Sequence, residues 1–228
     1  GKEMAARAIH FDSPRAAGPF IAVNCAAIPE TLFESEMFGH ARGAFTGAGE
    51  ARKGLIEQSS GGTLMLDEVG EFPLPQQAKL LRVLDQREVR PLGARSAVSV
   101  NLRLVCATNR SLEEMVEQGE FREDLFFRVN VLQIEMPELG SRPEDIPALA
   151  EHLLVDLCLE HNIHCPGMER DALELLARRT WPGNVRELKN TIERALFRSG
   201  GRWICADDLR SLVRGERTEN PTTAPLPD

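Results

Sequence analysis

Four short apolar runs, Phe20-Ile21-Ala22-Val23, Thr63-Leu64-Met65-Leu66, Leu102-Arg103-Leu104-Val105-Cys106 and Val131-Leu132-Gln133-Ile134, alternate with stretches whose apolar residues recur every three or four positions. Alternation of this kind predicts a parallel α/β sheet. Between the second and third runs, Leu74, Ala78, Leu81 and Leu84 mark a helix. A hairpin is predicted from Glu88 to Asn101, with Gly93-Ala94-Arg95-Ser96 at its tip; Val98, Val100, Leu102 and Leu104 alternate with polar residues, so this arm is extended. After Pro137 the strand signal stops. Ile146, Leu149, Leu153 and Leu157 predict one amphipathic helix, and Leu173, Leu176 and Ala177 predict a second. A third starts after Pro182-Gly183, where Asn184 and Glu187 are spaced as a capping box, and its stripe is Val185, Leu188, Ile192 and Ala195. The pattern predicts an α/β body over residues 1–137 and a helical subdomain over 138–213, followed by a polar, proline-dotted linker over 214–228.

At 228 residues and 42% hydrophobic content, the chain can bury a substantial core. A formal charge of -8, from 27 basic and 35 acidic residues, opposes a direct nucleic-acid clamp, because phosphate binding needs a net basic surface. No apolar run reaches membrane-spanning length. The cysteines at 25, 106, 158, 165 and 205 are odd in number and scattered, as expected of reduced thiols in a cytoplasmic protein. Cys158, His161, His164 and Cys165 fall within eight residues. Their spacing is not the paired Cys-x-x-Cys type, so ordinary helix-end residues are the expected reading.

Candidate chemistry gathers at predicted strand ends. Leu64-Met65-Leu66 runs into Asp67-Glu68, which places two carboxylates at the carboxyl edge of the sheet, where α/β proteins bind ligands. There, one acid can hold Mg²⁺ and the other can polarise water; the bland alternative is a polar strand end capping the next helix. Ala107-Thr108-Asn109 ends the next strand in the same way. Arg122 and Arg128 read either as surface ion pairs or as cations offered to a neighbouring subunit's phosphate, and Arg186 reads equally as a solvated helix charge. Gly1-Lys2 stands directly before the helical pattern Met4, Ala5, Ala8, Ile9, and by itself that dipeptide decides nothing.

The segment Gly43-Ala44-Phe45-Thr46-Gly47-Ala48 sets an aromatic ring and a hydroxyl among small residues, with two glycines able to take φ > 0. Either the ring turns into the core, or the loop holds it out as an interface anchor.

Together these stretches closely resemble the AAA+ ATPase domain of bacterial enhancer-binding proteins, the NtrC-like activators of sigma-54 RNA polymerase. The resemblance covers roughly residues 1 to 212 and rests on GKEMAARAIH, FIAVNCAAIPETLFESEMFGH, GAFTGA, GGTLMLDEVGEFPLPQQAKLLRVL, LVCATN, FREDLFFRVN and WPGNVRELKNTIERA. It implies a P-loop AAA+ fold with a helical lid, ATP and Mg²⁺ as ligands, and a homo-oligomeric ring, expected to be a hexamer. By resemblance, Gly1 and Lys2 end the Walker A loop, Glu3 stands where other P-loops carry Ser or Thr, and Asp67 and Glu68 form Walker B. Asn24 matches the switch residue that holds the catalytic Glu, Thr108 and Asn109 the first sensor, and Arg186 the second. Arg122 and Arg128 match arginine fingers acting across the subunit interface. Residues Gly43 to Ala48 match the loop that contacts sigma-54, with the tip from Gly93 to Ser96 as a second surface loop; DNA is expected to be bound only through a domain outside this chain. The resemblance turns the expectation for Phe45 toward exposure. A nucleotide-sensing AAA+ module that does not act on sigma-54 is the alternative.

Two departures qualify this picture. Ala41 and Arg42 precede the loop where the family usually carries a Glu, which is expected to alter how the loop base rests. The first strand and the phosphate-cradle glycines of the family pattern have no counterpart before Gly1, so the 228-residue chain taken literally is expected to fold poorly and bind ATP weakly.

Overall fold

The computed structural model describes residues 1–210 and 212. Two compact units divide between Glu135 and Met136. In the first, α1 (Lys2–Phe11) leads to β1 (Phe20–Asn24), α2 (Glu30–Phe38), the short antiparallel pair β2 (Gly39–His40) and β3 (Arg52–Lys53), and α3 (Leu55–Gln58). Then follow β4 (Thr63–Asp67), α4 (Leu74–Gln86), the antiparallel pair β5 (Glu88–Val89) and β6 (Val98–Ser99), β7 (Arg103–Ala107), α5 (Leu112–Glu117) and α6 (Glu123–Val129). The second unit holds α7 (Ile146–Glu160), α8 (Arg170–Ala177), α9 (Asn184–Ser199) and α10 (Ala206–Arg210).

The sheet is parallel with order β1-β4-β7. Its middle strand is sealed on both faces: Thr63, Leu64, Met65 and Leu66 are all fully buried, as a parallel strand covered by crossover helices should be. Leu64 and Leu66 point into a core with Phe33, Met37 and Phe38 of α2, Leu80 and Val83 of α4, and Leu125 of α6. Thr63 and Met65 alternate to the other face, where the Thr63 hydroxyl pairs with Nδ1 of the buried His10 of α1 at 2.9 Å. Gly62 is required at the entry to β4, because a Cβ there would lie 1.9 Å from the Pro19 carbonyl oxygen.

Three of the four expected strands are present. Val131–Ile134 is not a strand, and its Val131, Leu132 and Ile134 side chains stand exposed. A strand exists only by pairing, and among the described residues the sheet ends at β7 with nothing extended beside this run.

In the second unit, α7, α8 and α9 converge on Trp181, which is 1% exposed and donates Nε1–H to the Leu176 carbonyl at 2.9 Å. The expected capping box is only half formed. Glu187 reaches back to accept from Gly183 N–H at 2.9 Å, but Asn184 sits at φ 51° and accepts from Leu139 N–H at 2.7 Å. Its side chain therefore pins the entry to the unit rather than capping α9. Helix α10 was not apparent from the pattern. The linker expected at 214–228 lies outside the described residues. None of the described helices is long and apolar enough to cross a membrane.

Because Leu64 is fully buried in the central strand, Leu64→Ala should cost about 2–5 kcal/mol. Urea unfolding of the protein measures it, and a loss no larger than that of an exposed-site substitution would contradict this packing.

Candidate functional site

Register brings the chemistry together. Asn24 of β1 lies opposite Asp67 of β4, and Asp67 lies opposite Ala107 of β7, so Asn24, Asp67 and the Thr108-Asn109 pair that follows Ala107 line one carboxyl edge. Glu68 follows in the left-handed region, at φ 53° and ψ 52°. For a residue with a full side chain that conformation costs of order 1–3 kcal/mol and aims the carboxylate away from the strand line.

Lys2, the first residue of α1, delivers its ammonium to this pair. Nζ donates to Glu68 Oε1 at 3.1 Å and lies 3.9 Å from Asp67 Oδ1. All three side chains are about one-quarter to one-third exposed, so the cluster is reachable from solvent. Two hard carboxylates that already hold a cation between them are a donor set that fits a divalent ion such as Mg²⁺. Glu68 N–H also donates to Asp67 Oδ1 at 3.2 Å. The Asn24 amide oxygen accepts from Ala26 N–H at 3.0 Å and caps the 3₁₀ turn Cys25–Ala27, while Glu68 is held by Lys2. Thr108 Oγ1 accepts from Arg110 N–H at 3.0 Å, and Glu3 is paired with Arg7 of the next turn.

Cys25 was not singled out in the sequence, although it directly follows Asn24. Burial pushes its thiol up to about 12, with the Asp67, Glu68 and Glu71 charges adding to the shift. Burial likewise raises Cys106 of β7 to about 12. Both are therefore neutral thiols at ordinary pH.

The two arginines of the 122–128 segment are exposed and paired within the chain. Arg122 makes a two-pronged ion pair with Asp124, at 3.0 and 2.7 Å, which holds the Asp124 carboxyl below its usual range. Arg128 donates to the Leu84 carbonyl at 3.0 Å and lies 3.3 Å from Asp85. Arg186 sits exposed on the first turn of α9, in the second unit. Among the described residues no group of three or more His, Cys, Asp or Glu is placed to share a metal ion, and that includes the stretch from Cys158 to Cys165.

The 43–48 loop is a separate feature. Gly43 and Gly47 take φ 76° and 101°, and Gly43 N–H bonds to the Ala48 carbonyl at 2.8 Å across the loop neck. Phe45 is 42% exposed, with its ring edge-on to His40 at 5.0 Å between centroids. His40 is thus the local packing partner that the small neighbours do not supply. The loop base rests on backbone bonds: Ala41 N–H to the Leu92 carbonyl and Leu92 N–H to the Gly39 carbonyl, both 2.8 Å. A Cβ on Gly93 would meet Ala44 Cβ at 2.9 Å, so the two surface loops touch.

Comparison with known proteins agrees with this architecture. The family profile described as Sigma-54 interaction domain matches residues 1–135, and that described as AAA+ ATPase lid domain matches residues 141–225. The chain belongs to the sigma-54 interaction domain family. It is similar to the regulatory protein AtoC of Escherichia coli, at 51% identity over 94% of this chain and 46% of that protein. It is also similar to the Nif-specific regulatory protein of Azotobacter vinelandii, at 50% identity over 100% of this chain and 43% of that protein. The crystal structure of NtrX from Brucella abortus matches with TM-score 0.86 and 38% identity, covering 95% of this chain and 50% of that one. NtrX in complex with ATP matches with TM-score 0.83 and 36% identity, covering 97% and 49%. The chain thus spans about half the length of the relatives it matches.

Alkylation of the folded protein at pH 8 followed by peptide mass mapping should leave the buried Cys25 unmodified until denaturant is added. Rapid labelling of Cys25 would contradict its raised thiol.

Proposed function

We propose that this chain is the ATP-hydrolysing motor of a sigma-54-dependent transcriptional activator, spending ATP between neighbouring subunits to drive the 43–48 loop against sigma-54 RNA polymerase. One observation carries the reading. A helix-start lysine, a strand-end aspartate and a glutamate lie within 4 Å at the carboxyl edge of a parallel sheet, in a chain of the sigma-54 interaction family.

The roles follow from charge and position. Gly1 and Lys2 meet the nucleotide at the positive end of α1, and the Lys2 ammonium exchanges its carboxylate partner for β- and γ-phosphate oxygens. Asp67 holds Mg²⁺ through water. When bound, that ion neutralises phosphate charge. Freed from Lys2, Glu68 accepts a proton from the attacking water, and Asn24, whose strand lies beside β4, holds Glu68 in one nucleotide state and releases it in another. Thr108 and Asn109 orient the water and the γ-phosphate from the neighbouring strand end, and Arg186 senses the nucleotide from the helical unit. Arg122 and Arg128 reach the adjacent protomer's phosphate in a ring expected to be hexameric, where such a cation is worth about 10³–10⁵ in rate.

The output is mechanical. The segment from Gly43 to Ala48 presents Phe45 and Thr46 to sigma-54, hinged by its two glycines and braced on the tip at Gly93. DNA is contacted through a domain outside this chain, and no membrane is involved.

In the full-length protein, Glu68→Gln should keep nucleotide affinity while hydrolysis falls about 10²–10⁴-fold, the span of a lost general base. Phosphate release and nucleotide titration separate the two, and unchanged hydrolysis removes Glu68 from the role of base. Phe45→Ala should leave ATPase activity intact and weaken sigma-54 binding, by roughly 30-fold or more if the ring is an interface anchor. Pull-down with a transition-state nucleotide analogue measures it, and undiminished capture would leave a nucleotide-sensing module as the better account.

A further inference from the structure

Gln77 is a polar side chain with no accessible surface, on the second turn of α4. Its amide is engaged on both ends. Nε2 donates to the Phe72 carbonyl at 2.9 Å and to the Glu120 carbonyl at 3.2 Å, and Oε1 accepts from Arg122 N–H at 2.8 Å. The partners lie in two segments, the turn at Phe72 just before α4 and the stretch Glu120 to Arg122 more than forty residues further on. Phe72 closes the 3₁₀ turn Val69–Glu71 that leaves Asp67 and Glu68, and its buried ring packs edge-on against Phe33 at 4.7 Å. Glu120 ends the turn after α5, and Arg122 is the residue before α6.

The Arg122 amide therefore has a fixed place while its guanidinium faces solvent. Phe121 and Leu125 are buried on either side of it. The side chain of Arg122 does not cap α6, and its N–H has the Gln77 oxygen as its bond. A leucine at 77 would fill similar space but leave one N–H and two carbonyls short of partners, and the segment would shift to satisfy them.

We propose that Gln77 is a positioning residue for the arginine finger: it locks the Arg122 backbone to the turn leaving the Asp67–Glu68 edge, so that the finger's root is held in register with the protomer's own site. This rests on Arg122 acting across the subunit interface, as proposed above. Gln77 touches neither nucleotide nor phosphate. Its loss should lower kcat and spare the KM for ATP, since Lys2 and Asp67 are untouched.

The test uses mixed rings of the full-length protein. Gln77→Leu alone should lose roughly 10- to 100-fold in kcat, the scale of a misplaced catalytic group, with the KM for ATP little changed. Mixed with Glu68→Gln, which keeps its own Gln77 and Arg122, the leucine variant should regain turnover, because about a quarter of interfaces then pair an intact Glu68 with an intact finger in a head-to-tail ring. Arg122→Ala mixed with Glu68→Gln is the control. If the control fails to recover, the finger assignment falls and this inference falls with it. If the control recovers and Gln77→Leu does not, only the inference is overturned.

Two measurements hold even where Gln77→Leu folds badly. The Arg122 amide of the unaltered protein should exchange its hydrogen slowly, and fast exchange overturns the proposal. Gln77→Glu keeps an oxygen able to accept from Arg122 N–H and should retain more turnover than the leucine; equal loss also overturns it.

Discussion

The site depends on the complete burial of β4. Four successive residues, Thr63 to Leu66, have no accessible surface, and the next two are acids. Ionised carboxylates cannot follow the strand into the apolar interior without a penalty of several kcal/mol each. They must emerge where the sheet stops, and emerging together they repel each other. The left-handed turn at Glu68 separates the two side chains, and the Lys2 ammonium, bonded to Glu68 and near Asp67, offsets one of the two negative charges. Burial behind, strain at the turn and a cation in front make one device. Parallel pairing then places Asn24 and Ala107 beside Asp67, so the neighbouring strand ends converge on the same edge.

Much of this was legible because it is periodic or local. The runs at 20, 63 and 102 stand out as strands, and the acids at 67 and 68 are visible at the end of one. The run at Val131 carries the same local signal and fails, because pairing is a property of a neighbour and the described sheet has none to give it. Asn184 misleads for a similar reason: its spacing to Glu187 reads as a cap, yet its side chain is drawn to Leu139 N–H, forty-five residues away. Gln77 is the clearest case. The stripe Leu74, Ala78, Leu81, Leu84 suggests one buried face for α4, but Leu74 is exposed and the face that sinks runs through Gln77, Leu80 and Val83. A glutamine inside looks like an error of pattern until its three partners are known.

The 43–48 loop follows a different economy. Its glycine conformations are ones that other residues adopt only with strain, and nothing lies within 4 Å of where a Cβ on Gly43 or Gly47 would sit. The backbone needs glycine there for its torsions and not for space, so the neck can bend without a collision. Anchorage is left to Ala41 and Leu92 at the base, and to one aromatic contact between His40 and Phe45 at the head. The loop is fixed at its root, and its tip touches the hairpin near Gly93.

The same division of labour holds at Arg122, whose side chain pairs with Asp124 at the surface while its backbone is held from within. Its bond to Asp124 is exposed on both sides, and ion pairs of that kind contribute little and exchange readily for a stronger anion. A triphosphate offers more charge than one carboxylate, so the pairing seen in the single chain is no obstacle to a role in trans. What the side chain cannot supply is the position of its own root. That comes from the buried amide of Gln77, whose removal would leave the Phe72 carbonyl, the Glu120 carbonyl and the Arg122 N–H without this partner at once. The Arg122 guanidinium is exposed while its backbone N–H is held, and the residue that holds it also grips the turn leaving Asp67 and Glu68.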